Sequence, residues 1–363
     1  MKIALIYNFA QHYRSNIFTL MDKEMNVDFY FGDHYLDVKK MDYSLLHHPV
    51  KEVKNIKIGP FYWQNGIPLL AFRSYDTFIV LGEPLCLSTW LLGLLCKLMG
   101  KKLFFWTHGW YGREHFVKRI IKKIFFCLGN GIMTYGEYAR KLMIQEGFRP
   151  DCIQVIHNSL DYDYQLELRG QIKSEDIYTT HFSNSLPNII FVGRLTQVKQ
   201  LDLLVEALSV NKSFNITFIG GGEEENNLKD MVHTYNLESQ VWFYGPCYDE
   251  ETLSRLIYNA DLCVAPGNIG LTAMHAMVYG CPCISHNDFK NQMPEFEAIK
   301  TGVTGAFFQR GVAASLAQSI QEWIEHHNAD RENVRKACFK EIDENWNPHV
   351  QLKTIKETIK YKD

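Results

Sequence analysis

The chain of 363 residues has no apolar run long enough to cross a bilayer. Its greasiest stretch, 84–99, carries Ser88, Thr89 and Lys97 and falls short of the ~20 residues a span requires. The opening MKIALIYN is too short in its apolar part for a secretion signal and has no cleavage-type region after it. A cytoplasmic protein is therefore expected, soluble or resting on the inner face of the plasma membrane. Metal-type cysteine pairing is almost missing as well: the nine cysteines are an odd number, lie mostly in apolar surroundings (Cys96, Cys127, Cys263), and only Cys281 and Cys283 stand close together. They are expected to be reduced. There is no excess of positive charge, the net being −3, so nothing global favours nucleic acid. Repeats and low-complexity tracts are absent, which excludes solenoid and fibrous architectures.

What is present is an ordinary globular composition, 46% hydrophobic and 22% charged, at a length that suits two domains. Apolar runs at 2–7, 27–31, 78–81, 103–106, 131–134 and 152–156 alternate with helix-like segments, the pattern of a parallel sheet covered by helices. The pattern lapses over 161–187, which is polar with no sustained apolar face. It then resumes with strands expected at 188–193, 215–219, 240–244, 261–265 and 281–285 and helices near 200–210, 223–235, 249–259 and 270–279. Further helical patterns cover 311–327, 329–342 and 348–361. The expectation is an α/β chain of two doubly wound, Rossmann-like domains facing a cleft. The first spans 1–161, a linker 162–187, the second 188–344, and a last helix lies within 345–363.

Chemistry concentrates at 188–199, NIIFVGRLTQVK. Four apolar residues make a buried strand, Gly193 breaks it, and Arg194 and Lys199 follow in the loop ahead of a helix. Two cations at the carboxyl end of a strand, beside the positive end of a helix, suit a diphosphate; a plain βα turn with solvated cations is the alternative. A second turn, Gly220, Gly221 and Gly222, lets backbone approach a ligand or merely packs tightly, and Glu223, Glu224 and Glu225 after it would repel phosphate if turned inward. A third turn, 265–272, contains Gly267, Asn268, Ile269, Gly270, Leu271 and Thr272, and its last amides open a helix.

Taken together, VGRL-x-x-x-K at 192–199, GGG-E at 220–223, GLTAMHAMVYGCP at 270–282, Pro294-Glu295 and the run Gly302, Thr304, Gly305 resemble the carboxyl-terminal domain of glycosyltransferase family 4. These are retaining enzymes of the GT-B architecture. The first half is similar at fewer points: Thr107-His108-Gly109, Thr134-Tyr135-Gly136 and 158–161, NSLD. The resemblance implies a glycosyltransferase of the bacterial surface-polysaccharide type, for capsule or O-antigen, that moves a sugar from a nucleotide-diphosphate donor to a glycan or lipid-linked oligosaccharide acceptor. The amino-terminal domain would bind the acceptor and the carboxyl-terminal domain the donor, and the last helix would return to the first domain. Arg194 and Lys199 would stabilise the leaving diphosphate, and His108 would reach the donor sugar. Gly193, Gly221, Gly222, Asn268, Ile269, the amides of Gly270, Leu271 and Thr272, and the side chains of His275 and Glu295 would line the donor site. No cofactor and no metal is implied. Two departures stand out. The family's paired glutamates, one for the sugar and one for the ribose, are replaced by Gly267 and His275, and its glycine-rich turn after the first strand is replaced by NFAQHYR at 8–14. The first departure keeps a non-catalytic sugar-nucleotide-binding subunit in view, and the shared architecture keeps an epimerase.

Other residues are candidates with bland alternatives. His12, Tyr13, Arg14 and Glu83 follow first-domain strands on the acceptor side; His12, His108 or Glu83 would serve as base in an inverting reaction, or each is structural. Gln292, Glu295 or Glu297 would stand in for the glutamate that Gly267 replaces, or they lie on a solvated loop. Asp161 and Asp163 have the spacing of a metal pair but sit where the resemblance already uses Asp161. Residues 113–128, REHFVKRIIKKIFFCL, put Phe116, Val117, Ile120, Ile121, Ile124 and Phe125 on one side of a helix with Lys118, Arg119, Lys122 and Lys123 around them. That helix suits either an anionic membrane surface or a core with a solvated basic face.

Overall fold

The computed structural model describes residues 1–34, 38–327 and 330–361. Ala329, which opens the helix expected at 329–342, and the end of the segment 345–363 lie outside the described residues. The chain forms two compact units, one of Met1–Asp161 with the stretch from Asn347 onward, the other Tyr162–Trp346.

The first unit is built on strands β1 (Ile3–Tyr7), β2 (Val27–Gly32), β3 (Val50–Val53), β4 (Asn55–Ile58), β5 (Phe61–Gln64), β6 (Thr77–Leu81), β7 (Lys102–Thr107), β8 (Gly131–Thr134) and β9 (Ile153–Val155). Helices α1 (Ser15–Glu24), α2 (Leu87–Leu98), α3 (Phe116–Phe126) and α4 (Glu137–Gln145) connect parallel neighbours. Seven strands form a parallel sheet in the order β3-β2-β1-β6-β7-β8-β9, and β4 and β5 form a separate antiparallel hairpin. Every residue of β1, IALIY, is buried, as a strand covered on both faces requires. Its side chains alternate between two cores. Ile3, Leu5 and Tyr7 join Phe18, Phe29, Phe31 and Trp106; Ala4 and Ile6 join Val80, Phe105, Phe125 and Ile132. Strand β3 and the hairpin fall outside the apolar runs because VKEV and NIKI interleave charge with apolar residues and FYWQ is only four residues long.

The second unit opens with α5 (Tyr162–Arg169) and α6 (Ile177–Phe182), where a linker was expected. Helix α5 is held by polar groups, and α6 packs Tyr178, His181 and Phe182 around Trp242; neither is long enough to show an apolar period. The Arg169 guanidinium spans both oxygens of Asp343 at 3.0 and 2.9 Å, and the buried Tyr178 donates its hydroxyl to the Leu256 carbonyl at 2.7 Å. The body follows as β10 (Asn188–Val192), α7 (Asp202–Val210), β11 (Asn215–Ile219), α8 (Glu225–Thr234), β12 (Val241–Gly245), α9 (Glu250–Asn259), β13 (Leu262–Ala265), α10 (Thr272–Val278), β14 (Cys283–His286), β15 (Gly305–Phe308), α11 (Ala313–His327) and α12 (Arg331–Asn345). The sheet order β12-β11-β10-β13-β14-β15 reverses direction between β10 and β13, so the turns leaving these two strands lie side by side. That switch point is where doubly wound sheets bind ligands.

The last helix, α13 (Pro348–Ile359), starts on a capped turn: the Asn347 side chain accepts from the amides of His349 and Val350 at 3.1 and 3.0 Å, with Pro348 in the first turn. It buries Leu352, Ile355 and Ile359 in the first unit's core beside Phe18 and Met21. Ile355→Ala is expected to cost about 2–5 kcal/mol, measured by chemical unfolding; a loss below about 1 kcal/mol would show that the helix is not a structural part of that core.

Candidate functional site

In the second unit the turn after β10 and the turn after β13 are bonded into one surface. The Lys199 ammonium donates to the Asn268 carbonyl at 2.7 Å and to Asn268 Oδ1 at 2.9 Å, and the Gly267 amide donates to the Lys199 carbonyl at 2.8 Å. Thr272 Oγ1, on the first turn of α10, donates to the last carbonyl of β10 at 3.2 Å. Burial lowers the Lys199 pKa to about 8; the Glu295 carboxylate acts against that and the Arg194 charge adds to it. Arg194 itself is exposed. The two predicted cations therefore stand together, one free in solvent and one held by neutral oxygens.

The glycine at 267 has a steric cause. A Cβ there would lie 2.1 Å from the Val198 carbonyl oxygen and 2.7 Å from the Lys199 carbonyl carbon. The position that carries a glutamate in the resembled family is filled here by the backbone before Lys199. The triple-glycine turn packs in the same way. Gly220 has φ +145°, a Cβ on it would meet the Gly193 oxygen at 1.9 Å, and Leu195 bonds the Gly221 carbonyl at 3.0 Å. Gly193, Gly221 and Gly222 thus shape the first turn. Two of the three glutamates after them have partners elsewhere, Glu225 with Lys229 and Glu224 with Asn227.

The third turn is braced from beneath. Gln292 is buried; its Oε1 accepts from the Ile269 amide at 3.0 Å, and its Nε2 donates to Ser285 Oγ at 2.8 Å and to the His286 carbonyl at 3.1 Å. This removes the Ile269 amide and the Gln292 side chain from the groups open to a ligand, because each already satisfies the other. Gly270, Leu271 and Thr272 remain at the head of α10, where helix geometry leaves amides without internal acceptors. Glu295 is buried in the turn Pro294–Ala298, electrostatically coupled to Lys199, while Glu297 is only half-buried on the same turn. The expected solvated loop is a packed one, with Phe289 and Phe296 stacked at 4.5 Å.

His275 turns toward a carboxylate that the sequence did not single out. Glu250 Oε1 is 2.9 Å from His275 Nε2 and receives the Tyr279 hydroxyl at 2.7 Å and Gln165 Nε2 at 2.9 Å. Burial raises the Glu250 pKa, but these bonds and the imidazole charge outweigh it and bring the value to about 2. At neutral pH the pair is a fixed carboxylate backed by a histidine. Glu250 was illegible because its partners come from elsewhere in the chain, Gln165 from α5 and His275 and Tyr279 from α10 and the residue that caps it.

In the first unit the turn after β1 carries Arg14 inward and His12 outward. His12 is exposed, with Nδ1 3.3 Å from the Lys39 carbonyl, and so does not join the buried group. The Arg14 guanidinium lies within 5.3–5.7 Å of the rings of Tyr7, Tyr13, Trp106 and Tyr135, and its Nη2 donates to the Tyr135 hydroxyl at 2.6 Å. His108, after β7, sits 4.7 Å from the Tyr135 ring and 6.1 Å from that of Tyr111. Burial, with the charges of Arg14 and Lys122, lowers its pKa to about 4, so the ring is neutral at pH 7. Glu83 accepts from the Tyr62 hydroxyl at 2.7 Å. Asp161 accepts from Asn16, and among the described residues no group of three or more His, Cys, Asp or Glu is placed to hold a metal.

Helix α3 differs from its expectation in part. Phe116 and Val117 are 72% and 65% exposed and Ile120, Ile121 and Ile124 are exposed too, whereas Phe125 is buried. Lys122 is also buried, bonded to the Gly109 carbonyl at 2.6 Å and Glu114 at 2.7 Å, and Arg119 pairs with Glu146 at 2.8 Å. Only Lys118 and Lys123 of the four basic residues are exposed without such partners. Neighbouring α2, joined through the Trp90–Phe125 ring contact at 5.0 Å, exposes Leu91, Leu94 and Leu98 at helical spacing. No helix among the described residues is long and apolar enough to cross a membrane.

Residues 175–340 match the family model for glycosyl transferases group 1. An uncharacterized 41.2 kDa protein in the cps region of Klebsiella pneumoniae is 25% identical over 63% of this chain and 60% of its own length. An uncharacterized glycosyltransferase of Methanocaldococcus jannaschii is 26% identical over 37% of this chain and 36% of its own. The chain thus spans less than two thirds of these curated relatives. Among solved structures, Anabaena HepE in complex with UDP superposes with a TM-score of 0.73 at 17% identity, covering 99% of this chain and all of that one. The lipopolysaccharide outer core galactosyltransferase WaaB in its apo form gives the same score and identity, covering 99% of both chains. The fold is therefore the GT-B fold of two Rossmann-like α/β domains.

The crowding at position 267 yields a test. Gly267→Ala is expected to lower stability by about 1–3 kcal/mol through overpacking, seen as a lower unfolding midpoint; an unchanged midpoint would mean that the two turns can part at no cost.

Proposed function

We propose that this chain, whose residues 175–340 match a glycosyltransferase family, transfers a sugar from a nucleoside diphosphate sugar to a glycan or lipid-linked acceptor in bacterial surface-polysaccharide assembly. The observation that carries the proposal is the pairing of exposed Arg194 with half-buried Lys199 at the switch point of the second unit. Breaking a glycosidic bond to phosphate leaves negative charge on the departing oxygens. Fixed cations and helix-opening amides aimed at that charge are usually the largest catalytic contribution. Arg194, Lys199 and the amides of Gly270, Leu271 and Thr272 take that part, without a metal and with retention of configuration. His108, neutral at pH 7, offers a hydrogen bond to the donor sugar rather than a charge. The Glu250–His275 pair accepts the ribose hydroxyls in place of the missing glutamate. The UDP-glucose complex of HepE supports a uridine nucleotide as the first donor to try, and the cps-region relative supports the pathway class.

One observation favours a second reading. With backbone filling the space at Gly267, no side chain there can accept from the sugar hydroxyls, as suits a subunit that binds nucleotide sugar without turning it over.

Incubating the pure protein with a panel of nucleotide sugars separates the two. Release of free nucleotide, faster with an acceptor glycan, supports the transferase; tight nucleotide binding with no release supports the second reading. Arg194→Ala and Lys199→Ala are each expected to cost about 2–4 kcal/mol in kcat/KM, and near-normal rates in both would remove the assignment. Because the Lys199 pKa is about 8, a protonated Lys199 prevails below that pH and a neutral one above it. UDP affinity should fall as pH rises through 8, by up to about tenfold per unit, and Lys199→Arg should flatten the fall.

The exposed apolar faces of α2 and α3, with Lys118 and Lys123 beside them, support peripheral contact with an anionic bilayer. Replacing both lysines by Gln should weaken co-sedimentation with phosphatidylglycerol vesicles by about 1 kcal/mol per charge; unchanged sedimentation ends that idea.

A further inference from the structure

The first unit buries a positive charge that has no counterion. Arg14 is 6% exposed, yet no carboxylate among the described residues forms an ion pair with it. One nitrogen, Nη2, has the Tyr135 hydroxyl; Nε and Nη1 have no hydrogen-bond partner. Desolvating a guanidinium is costly, and ring faces return only part of what water and a counterion would supply. A buried cation with two idle nitrogens is one that another molecule completes.

Its surroundings say what that molecule carries besides negative charge. Asn8 Oδ1 and Gln11 Oε1, on the same turn as Arg14, are buried acceptors with no donor. His108 Nδ1 and Trp106 Nε1, at the end of β7, are also without partners. The Trp106 ring lies 5.7 Å from the Arg14 guanidinium, and the His108 ring shares Tyr135 with it. The turn after β1 therefore presents one cation and two amide oxygens that need hydroxyl donors. A neutral sugar would answer the oxygens and leave the guanidinium unsatisfied. An inorganic anion would do the reverse.

We propose that the turn after β1 is a receptor for an acidic sugar, with Arg14 holding the oxyanion and Asn8 and Gln11 accepting from neighbouring hydroxyls, and that this sugar is the acceptor's terminal unit. The acceptor assignment rests on the transferase reading above; the anion site itself does not. Carboxylate and phosphate share the chemistry Arg14 recognises, so both are tested.

Glucuronate, glucose 6-phosphate and methyl glucoside are titrated calorimetrically into the full chain saturated with UDP. At least one anionic probe should bind tenfold or more tightly than methyl glucoside, and the stronger of the two identifies the anion. Arg14→Gln should abolish that preference while leaving UDP affinity unchanged, and Arg14→Lys should retain part of it. Tyr135→Phe, which frees Nη2 as a third donor without removing the charge, should tighten the anionic probe severalfold while leaving methyl glucoside unchanged, and it serves if Arg14→Gln does not fold. Equal binding of neutral and anionic probes by the wild type, or an unchanged preference in a folded Arg14→Gln, overturns the proposal. Normal UDP binding without any anion preference sinks this inference alone. A wild-type chain that binds no nucleotide sinks the transferase reading and the acceptor assignment with it.

Discussion

Lys199 reaches across from the turn after β10 to both oxygens of Asn268 on the turn after β13, and the geometry of the second unit's working face follows from that reach. For the ammonium to arrive there, the Val198–Lys199 backbone must press on residue 267, which has room only for hydrogen. For Asn268 to stay there, the next amide must be pinned, and Gln292 pins it from a buried position tied to Ser285. The lysine's lowered pKa is the cost of this arrangement, since neutral oxygens replace water poorly around a cation. A diphosphate would supply the charge that the oxygens lack.

Three cations withdrawn from solvent are satisfied to different degrees. Lys122 in the first unit has an ordinary solution, a carboxylate from Glu114 and a backbone carbonyl, and it is structural. Lys199 has neutral partners and a carboxylate nearby. Arg14 has one phenol and four rings. Ranked by how far each charge is satisfied, Lys122 comes first and Arg14 last, and Arg14 stands on the turn where the resembled family keeps bare glycine.

Much of this was legible in the sequence where contacts are local. Ile189, Ile190 and Phe191 read as a covered strand because they are one, and the cations after Gly193 could be placed from the strand–turn–helix order alone. What stayed hidden depended on residues far apart in the chain. Glu250 gains meaning only from Gln165, His275 and Tyr279, and Arg14 only from Tyr7, Trp106 and Tyr135. Helices α5 and α6 leave no period in the sequence because each is short, α5 held by Arg169 and Tyr162 on Asp343 and α6 by three rings around Trp242. Lys122 read as surface charge because it falls among exposed neighbours on α3, and only the position of Glu114 turns it inward.

Helix α13 closes a core whose other members lie before residue 162. On the ribosome, the first half of the polypeptide would emerge with Phe18 and Met21 uncovered and would wait, through synthesis of the entire second half, for its final piece. Completion of the earliest-made half is thereby scheduled last, so a prematurely terminated product is flawed at its beginning as well as at its end.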